Sequence, residues 1–145
     1  MLKLGSTIGI LGGGQLARML AVSASRIGYR THIYDPQTKS PAFEVATYNT
    51  VGSFEDEELL KKFAKQIDIL TYEFENIPNF VLRKLENIVQ IFPKKNALTI
   101  SQDRIREKQF FKDLNLQTAE YAEVNTFSDF STARKKLKLP ALLKT

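Results

Sequence analysis

Two periods of apolar residues alternate along this chain. Thr7-Ile8-Gly9-Ile10-Leu11 is a short, nearly unbroken apolar run rich in β-branched residues that halts at three glycines, which predicts a strand buried on both faces. After it, Leu16, Met19, Leu20, Ala24 and Ile27 fall at helical spacing, and Gly28 supplies a C-terminal stop. Residues 30–34 predict a second strand, ending at Asp35-Pro36. Residues 36–54 read as a loop with at most a short strand over 47–51. Ser53 then offers an N-cap, Glu55, Asp56, Glu57 and Glu58 suit the positive end of a helix, and Leu59, Leu60, Phe63 and Ala64 form its apolar face. A strand over 67–72, a helix over 79–86 and a strand over 88–92 complete the unit. Strands alternating with helices at this spacing predict an α/β fold, a Rossmann-like parallel sheet with right-handed crossovers.

Pro93-Lys94-Lys95-Asn96 marks a boundary. Beyond it the pattern predicts a helix over 101–114, a strand over 119–124 and a helix over 128–137. Pro140-Ala141-Leu142-Leu143-Lys144-Thr145 reads as a strand just begun. The expected organisation is therefore one domain before this boundary and the truncated beginning of another after it.

Composition narrows the function. With 43% hydrophobic and 26% charged residues in 145, the chain has enough apolar matter for a core. Its apolar runs fall well short of the roughly 20 residues of a membrane span, and no basic-then-apolar leader opens it, so a cytoplasmic setting is expected. The absence of cysteine excludes disulfides, thiolate zinc sites and a cysteine nucleophile. The lone histidine, His32, excludes a multi-histidine metal site, and its strand position reads as a packed residue rather than a base. The net charge of +5 is spread along the chain instead of clustered, so no nucleic-acid partner is expected.

Gly12-Gly13-Gly14-Gln15-Leu16-Ala17 carries the candidate chemistry. A glycine loop between a strand and a helix gathers unpaired N–H groups and a positive dipole end at one point, which suits a phosphate. Read from Gly12 the spacing satisfies G-x-G-x-x-A, and Asp35 follows Gly14 by 21 residues, where an acid can accept from ribose hydroxyls. A dinucleotide is one ligand for such a loop, and a tight turn with no ligand is the plain alternative. For Asp35 that alternative is a turn-former before Pro36. Glu73 and Asn76 leave the carboxyl end of a third parallel strand, where ligands of open α/β sheets collect. Glu73 can orient an amine or hydroxyl, and Asn76 can donate and accept, or simply cap the helix beyond Pro78. Dinucleotide binding does not call for Glu73-Phe74-Glu75-Asn76, and Glu75 reads as a solvated charge. Arg104 lies in a mixed-charge stretch, residues 101–108, that composition alone reads as an ion-paired face. Lys144 in an apolar run needs either an anionic partner or a snorkelling stem.

Taken in order, Ile8-Gly9-Ile10-Leu11-Gly12-Gly13-Gly14-Gln15-Leu16-Ala17-Arg18-Met19, Tyr34-Asp35-Pro36, Thr71-Tyr72-Glu73-Phe74-Glu75-Asn76, Gln102-Asp103-Arg104 with Glu107-Lys108, and Leu143-Lys144-Thr145 closely resemble the amino-terminal part of a family. That family is the N5-carboxyaminoimidazole ribonucleotide synthetases, biotin-independent ATP-grasp carboxylases of purine biosynthesis. Ala17 stands where the family usually has glycine. The resemblance implies a pre-ATP-grasp domain over 1–97 and the start of an ATP-grasp domain after it. It further implies a ligase that uses ATP and bicarbonate to carboxylate 5-aminoimidazole ribonucleotide through carboxyphosphate, with a homodimeric whole enzyme. By the same resemblance Gly14, Gln15 and Leu16 hold the ribose phosphate, Asp35, Glu73 and Asn76 line the rest of that pocket, and Arg104 and Lys144 contact ATP. The catalytic residues and the Mg²⁺ ligands would lie beyond Thr145, so this polypeptide alone should not turn over. Related enzymes, the formate-dependent transformylase and glycinamide ribonucleotide synthetase, share the first domain; Gln15 and the Glu-Phe-Glu-Asn element favour the carboxylating one. The competing readings are an NAD(P)- or FAD-binding module of an oxidoreductase, and a non-catalytic domain that keeps the fold without a ligand.

Overall fold

A computed structural model describes residues 2–137 and 140–144. They form two compact units, divided after Gln102.

The first unit is built on four parallel strands, β1 (Thr7–Leu11), β2 (Arg30–Asp35), β3 (Tyr48–Val51) and β4 (Ile69–Tyr72), in the order β3-β2-β1-β4. Ile10 pairs with Ile33 and Leu11 with Tyr34 and Tyr72, so alternate residues of each strand serve opposite faces. On one face Ile10 and Ile33 pack with Ala17 and Ala21 of helix α1 (Gln15–Arg26) and with Ala42 of a 3-10 turn, Pro41–Glu44. On the other, Leu11, Tyr34 and Leu70 pack with helix α2 (Glu57–Ala64), helix α3 (Asn79–Leu85) and Leu98 of helix α4 (Lys95–Ser101). This is the α/β, Rossmann-like sheet the pattern predicts. β4 lies on one side of β1 while β2 and β3 lie on the other, all parallel, which makes the carboxyl end of the β1/β4 pair the topological switch point.

Several expected details are corrected. α1 does not bury its large apolar residues: Ala17, Ala21 and Ala24 face the sheet, while Leu16, Met19, Leu20 and Ile27 are exposed. Small side chains let the helix lie close to the sheet, and at such close range a leucine would overpack. Ile27 is the cap of α1, and Gly28 with φ +86° turns the chain after it. α2 is capped by Asp56, whose carboxylate accepts from Leu59 N at 2.9 Å; Ser53 instead takes Glu55 N at 3.1 Å, one turn earlier. The strand expected over 88–92 is reduced to a single bridge, Ile91 to Leu70. The stretch read as a boundary carries helix α4, which the first unit keeps because Leu98 is fully buried in its core.

The second unit holds helix α5 (Arg104–Asp113) and helix α6 (Phe127–Lys136). α5 starts at Arg104, later than the expected residue 101, because Asp103 caps it by accepting from Ile105 N and Arg106 N at 2.9 and 3.0 Å. Thr126 and Asp129 close α6 with a reciprocal capping box. The strand expected over 119–124 does not form; among the described residues no neighbouring strand pairs with it. Pro140 and Ala141 to Lys144 are likewise exposed and without regular structure, and Lys138, Leu139 and Thr145 lie outside the described residues.

His32 is a packed residue, as its strand position predicts. It is 4% exposed, its Nε2 lies 2.8 Å from Thr50 Oγ1, and its ring stands edge-on to Phe63 at 4.8 Å. Burial pushes its pKa below the ordinary value of 6.5. The unfolded chain therefore binds this proton more readily than the folded one. The stabilisation is full above pH 6.5 and is lost as pH falls from there through the lower folded value. Thermal melts of the wild type and His32→Gln at pH 7.5 and 5.5 should show a smaller acid-induced drop in Tm for the variant; equal drops would assign the acid sensitivity to other groups.

Candidate functional site

The site grows from the way β1 ends. Leu11 is fully buried, and the chain must then leave the sheet and enter α1 within three residues. Gly12 does this at φ +94°, its N–H donating to Tyr34 O at 2.9 Å. Gly13 follows, clamped on both sides: its N–H donates to Asp35 Oδ2 at 2.7 Å, and its carbonyl accepts from Ala42 N at 3.0 Å. Gly14 is the N-cap of α1 and offers no side chain, and no acidic residue stands in the first turn. Gln15 and Leu16 are exposed there, with the N–H groups of that turn at the positive end of the helix.

Asp35, 9% exposed at the end of β2, is the organiser of this turn. Its Oδ2 holds Gly13, and its Oδ1 accepts from Gln37 N at 2.8 Å and from the Ser40 hydroxyl at 2.7 Å. Three of the roughly four acceptor positions of the carboxylate are therefore filled by the protein itself.

Glu73 follows β4 and is placed by the sheet, its N–H donating to Leu11 O at 3.0 Å. Its half-buried side chain lies along the glycine turn. A Cβ on Gly12 would stand 2.8 Å from Oε2, and one on Gly14 2.8 Å from Oε1. The Phe74 ring presses on Gly12 equally closely. Asn76 is exposed two residues on, and it does not cap α3, whose N-cap is Pro78 without a side-chain bond. Gln102 fixes this loop: its Nε2 donates to Glu75 O at 2.6 Å and Ile77 O at 2.8 Å, on either side of Asn76.

The carboxyl end of one sheet thus carries Gly14, Gln15, Leu16, Asp35 and Glu73 together, with Asn76 exposed on the loop that follows Glu73. The chemistry they offer is mixed: N–H donors and a dipole for an anion, and beside them a carboxylate for a donor. Arg104 and Lys144 belong to the second unit. Arg104 opens α5 with its guanidinium 2.9 Å from Glu107, and Lys144 is exposed. Ser40 and Gln102 are the two working residues for which the pattern assigns no role. Ser40 sits in a loop whose fold alone brings it to Asp35, and no local spacing announces it. Among the described residues no group of three or more His, Asp or Glu side chains is placed to hold a metal ion.

A parallel sheet with a glycine turn and an acid at its switch point is the frame of a Rossmann-like domain that binds a phosphate-bearing ligand. The family of the ribonucleotide synthetase preATP-grasp domain matches residues 5–102, and the chain belongs to it. The relatives narrow this further. An N5-carboxyaminoimidazole ribonucleotide synthase of Brucella melitensis is 47% identical over 124 residues, 86% of this chain and 34% of its own length. The crystal structure of an N5-carboxyaminoimidazole ribonucleotide synthetase with ADP matches with a TM-score of 0.87 at 35% identity, over 97% of this chain and 37% of that one. The Aspergillus clavatus enzyme, solved with ADP and 5-aminoimidazole ribonucleotide, matches with a TM-score of 0.80 at 29% identity, over 94% and 37%. The chain thus spans little more than a third of the length of these relatives.

The glycine turn gives a direct test of packing. Gly5 and Gly12 both have positive φ, but a Cβ at Gly5 meets nothing within 4 Å, whereas one at Gly12 collides with Glu73 and Phe74. Gly5→Ala should cost about 1 kcal/mol, from the backbone alone. Gly12→Ala should cost roughly 1–3 kcal/mol more in urea unfolding, from overpacking. Equal costs would show that Glu73 does not rest on the turn.

Proposed function

We propose that this chain forms the substrate-side amino-terminal part of an N5-carboxyaminoimidazole ribonucleotide synthetase, acting in purine biosynthesis in the cytoplasm as a homodimer. The whole enzyme phosphorylates bicarbonate with ATP. The exocyclic amine of 5-aminoimidazole ribonucleotide attacks the carbon of the resulting carboxyphosphate, forming the C–N bond and expelling phosphate. In this reading the N–H groups at Gly14, Gln15 and Leu16 receive the ribose phosphate. Glu73 and Asn76 orient the amine end by hydrogen bonds, and Asp35 holds the turn with one acceptor position left for the sugar. Arg104 and Lys144 contribute cations to the ATP phosphates. Mg²⁺ ligands and the carboxyphosphate site come from the rest of the enzyme. An isolated polypeptide of these residues is inactive.

The observation that carries the reading is the Glu73 carboxylate lying on Gly12 and Gly14. Two phosphates spread across Gly12 to Gly14 would meet this fixed negative charge, whereas a single phosphate at the helix end, toward Gln15 and Leu16, stands farther from it. A ribonucleotide with phosphate at one end and an amine at the other uses both halves of the site. The oxidoreductase reading is not favoured on this ground, and the relatives the chain matches are N5-carboxyaminoimidazole ribonucleotide synthases. The ADP and ribonucleotide complex of the Aspergillus clavatus relative supports the same assignment of substrates. The membrane is no partner in this reading, and among the described residues no helix is long and apolar enough to cross one.

ADP release by the full-length enzyme with ATP, Mg²⁺ and bicarbonate should be strongly stimulated by 5-aminoimidazole ribonucleotide, and micromolar NAD binding without such stimulation would overturn the proposal. Within it, Glu73→Ala should raise KM for the ribonucleotide about tenfold, the loss of a charged hydrogen bond, and leave KM for ATP nearly unchanged. Arg104→Ala should do the reverse; an unchanged KM for ATP would return Arg104 to a surface ion pair with Glu107.

A further inference from the structure

Ser40 is only 3% exposed, behind the glycine turn and out of reach of any ligand on its open side. Its hydroxyl donates to Asp35 Oδ1 at 2.7 Å, with Gln37 O a more distant alternative at 3.1 Å. The other oxygen of the same carboxylate holds Gly13 N–H at 2.7 Å. Ser40 is also the N-cap of the turn Pro41–Glu44, whose Ala42 N–H holds the Gly13 carbonyl at 3.0 Å. Its Cβ stands 2.6 Å from the place a Gly13 Cβ would occupy. One short segment after β2 therefore fixes both ends of the Gly13 peptide and fills the space beside it.

We propose that Ser40 is a positioning residue for the anion-binding turn: acting through Asp35, it sets the direction of the Gly13 peptide and so aims the first turn of α1 at the substrate phosphate. The proposal rests on the functional reading above. A carboxylate without the Ser40 donor keeps Gln37 N–H on Oδ1 but loses one of the two bonds that fix its rotation about χ2. Gly13 N–H then loses an acceptor of fixed direction. Gly14, Gln15 and Leu16 follow Gly13 directly, so their N–H groups inherit the error. Misplacement of this kind weakens phosphate binding without touching the ATP side or the bond-forming step, because binding depends on how well the donors are held in place beforehand.

The test uses the full-length enzyme with Ser40→Ala, Asp35→Asn and the double variant. Ser40→Ala should raise KM for the ribonucleotide about tenfold, the order of one lost charge-assisted hydrogen bond. Its kcat and KM for ATP should stay within about twofold, since neither involves the turn. The double variant should be no worse than Asp35→Asn alone, because the two residues act in series. Amide hydrogen exchange at Gly13 should quicken about tenfold in Ser40→Ala, as its acceptor loosens. Unchanged ribonucleotide KM, additive effects, a joint loss of kcat and both KM values, or unchanged Gly13 exchange would each overturn the proposal. If the wild-type enzyme shows no stimulation by the ribonucleotide, the functional reading fails, and the exchange measurement still decides whether Ser40 holds the turn.

Discussion

Gly13 N–H and the Asp35 carboxylate meet at 2.7 Å in a place where neither can reach water freely, and that contact joins the first strand-to-helix turn to the end of the second strand. Leaving it unmade would strand a buried donor and take one of three donors from a buried carboxylate, at a cost of about 1–3 kcal/mol. Much of the carboxyl end of the sheet follows from it. Gly12 must turn left-handed to bring Gly13 there, α1 must start at once because Asp35 and Ala42 hold the peptide before it, and Ser40 must be inside because Asp35 needs its second donor set. The turn is therefore built by residues distant in sequence, and its geometry exists before any ligand arrives.

The sheet itself was legible in the sequence for a physical reason. β1, β2 and β4 are short runs rich in β-branched and aromatic residues that lie between two layers, and such runs leave little freedom in how they pair. Gly12, Asp35 and Glu73 could be placed at the carboxyl edge from that pattern alone. What was not legible depended on packing distance or on contacts across the fold. Leu16, Met19, Leu20 and Ile27 have helical spacing, yet Ala17, Ala21 and Ala24 win the buried face because the helix lies close to Ile10 and Ile33. The spacing of large residues shows that a helix has a stripe; it does not show whether the sheet takes that stripe or the small one beside it. The run over 119–124 has strand-like residues, but a strand is stabilised by its neighbours, and among the described residues none pairs there. Ser40 is invisible for a different reason: a serine between Lys39 and Pro41 looks like any turn residue until the fold brings it under Asp35.

The two acids of the site illustrate how environment separates identical chemistry. Asp35 is surrounded by donors, and its charge is spent on Gly13, Gln37 and Ser40. Glu73 has its main chain fixed by Leu11 and its carboxylate laid along Gly12 and Gly14, so its charge faces the open end of the turn. One acid is held by protein donors and the other is available, although one ends and the other directly follows a parallel strand beside β1. Position at a strand end thus gives candidates, and the count of protein donors on each carboxylate sorts them. For a ligand that is anionic at one end and an amine donor at the other, this division is what recognition requires: the helix end attracts the phosphate, the free carboxylate attracts the amine, and each repels the wrong end of the molecule. In the proposed reading, reversing the ligand would set phosphate against Glu73 and amine against exposed N–H groups, so the two features proposed to hold the ribonucleotide would also fix its direction.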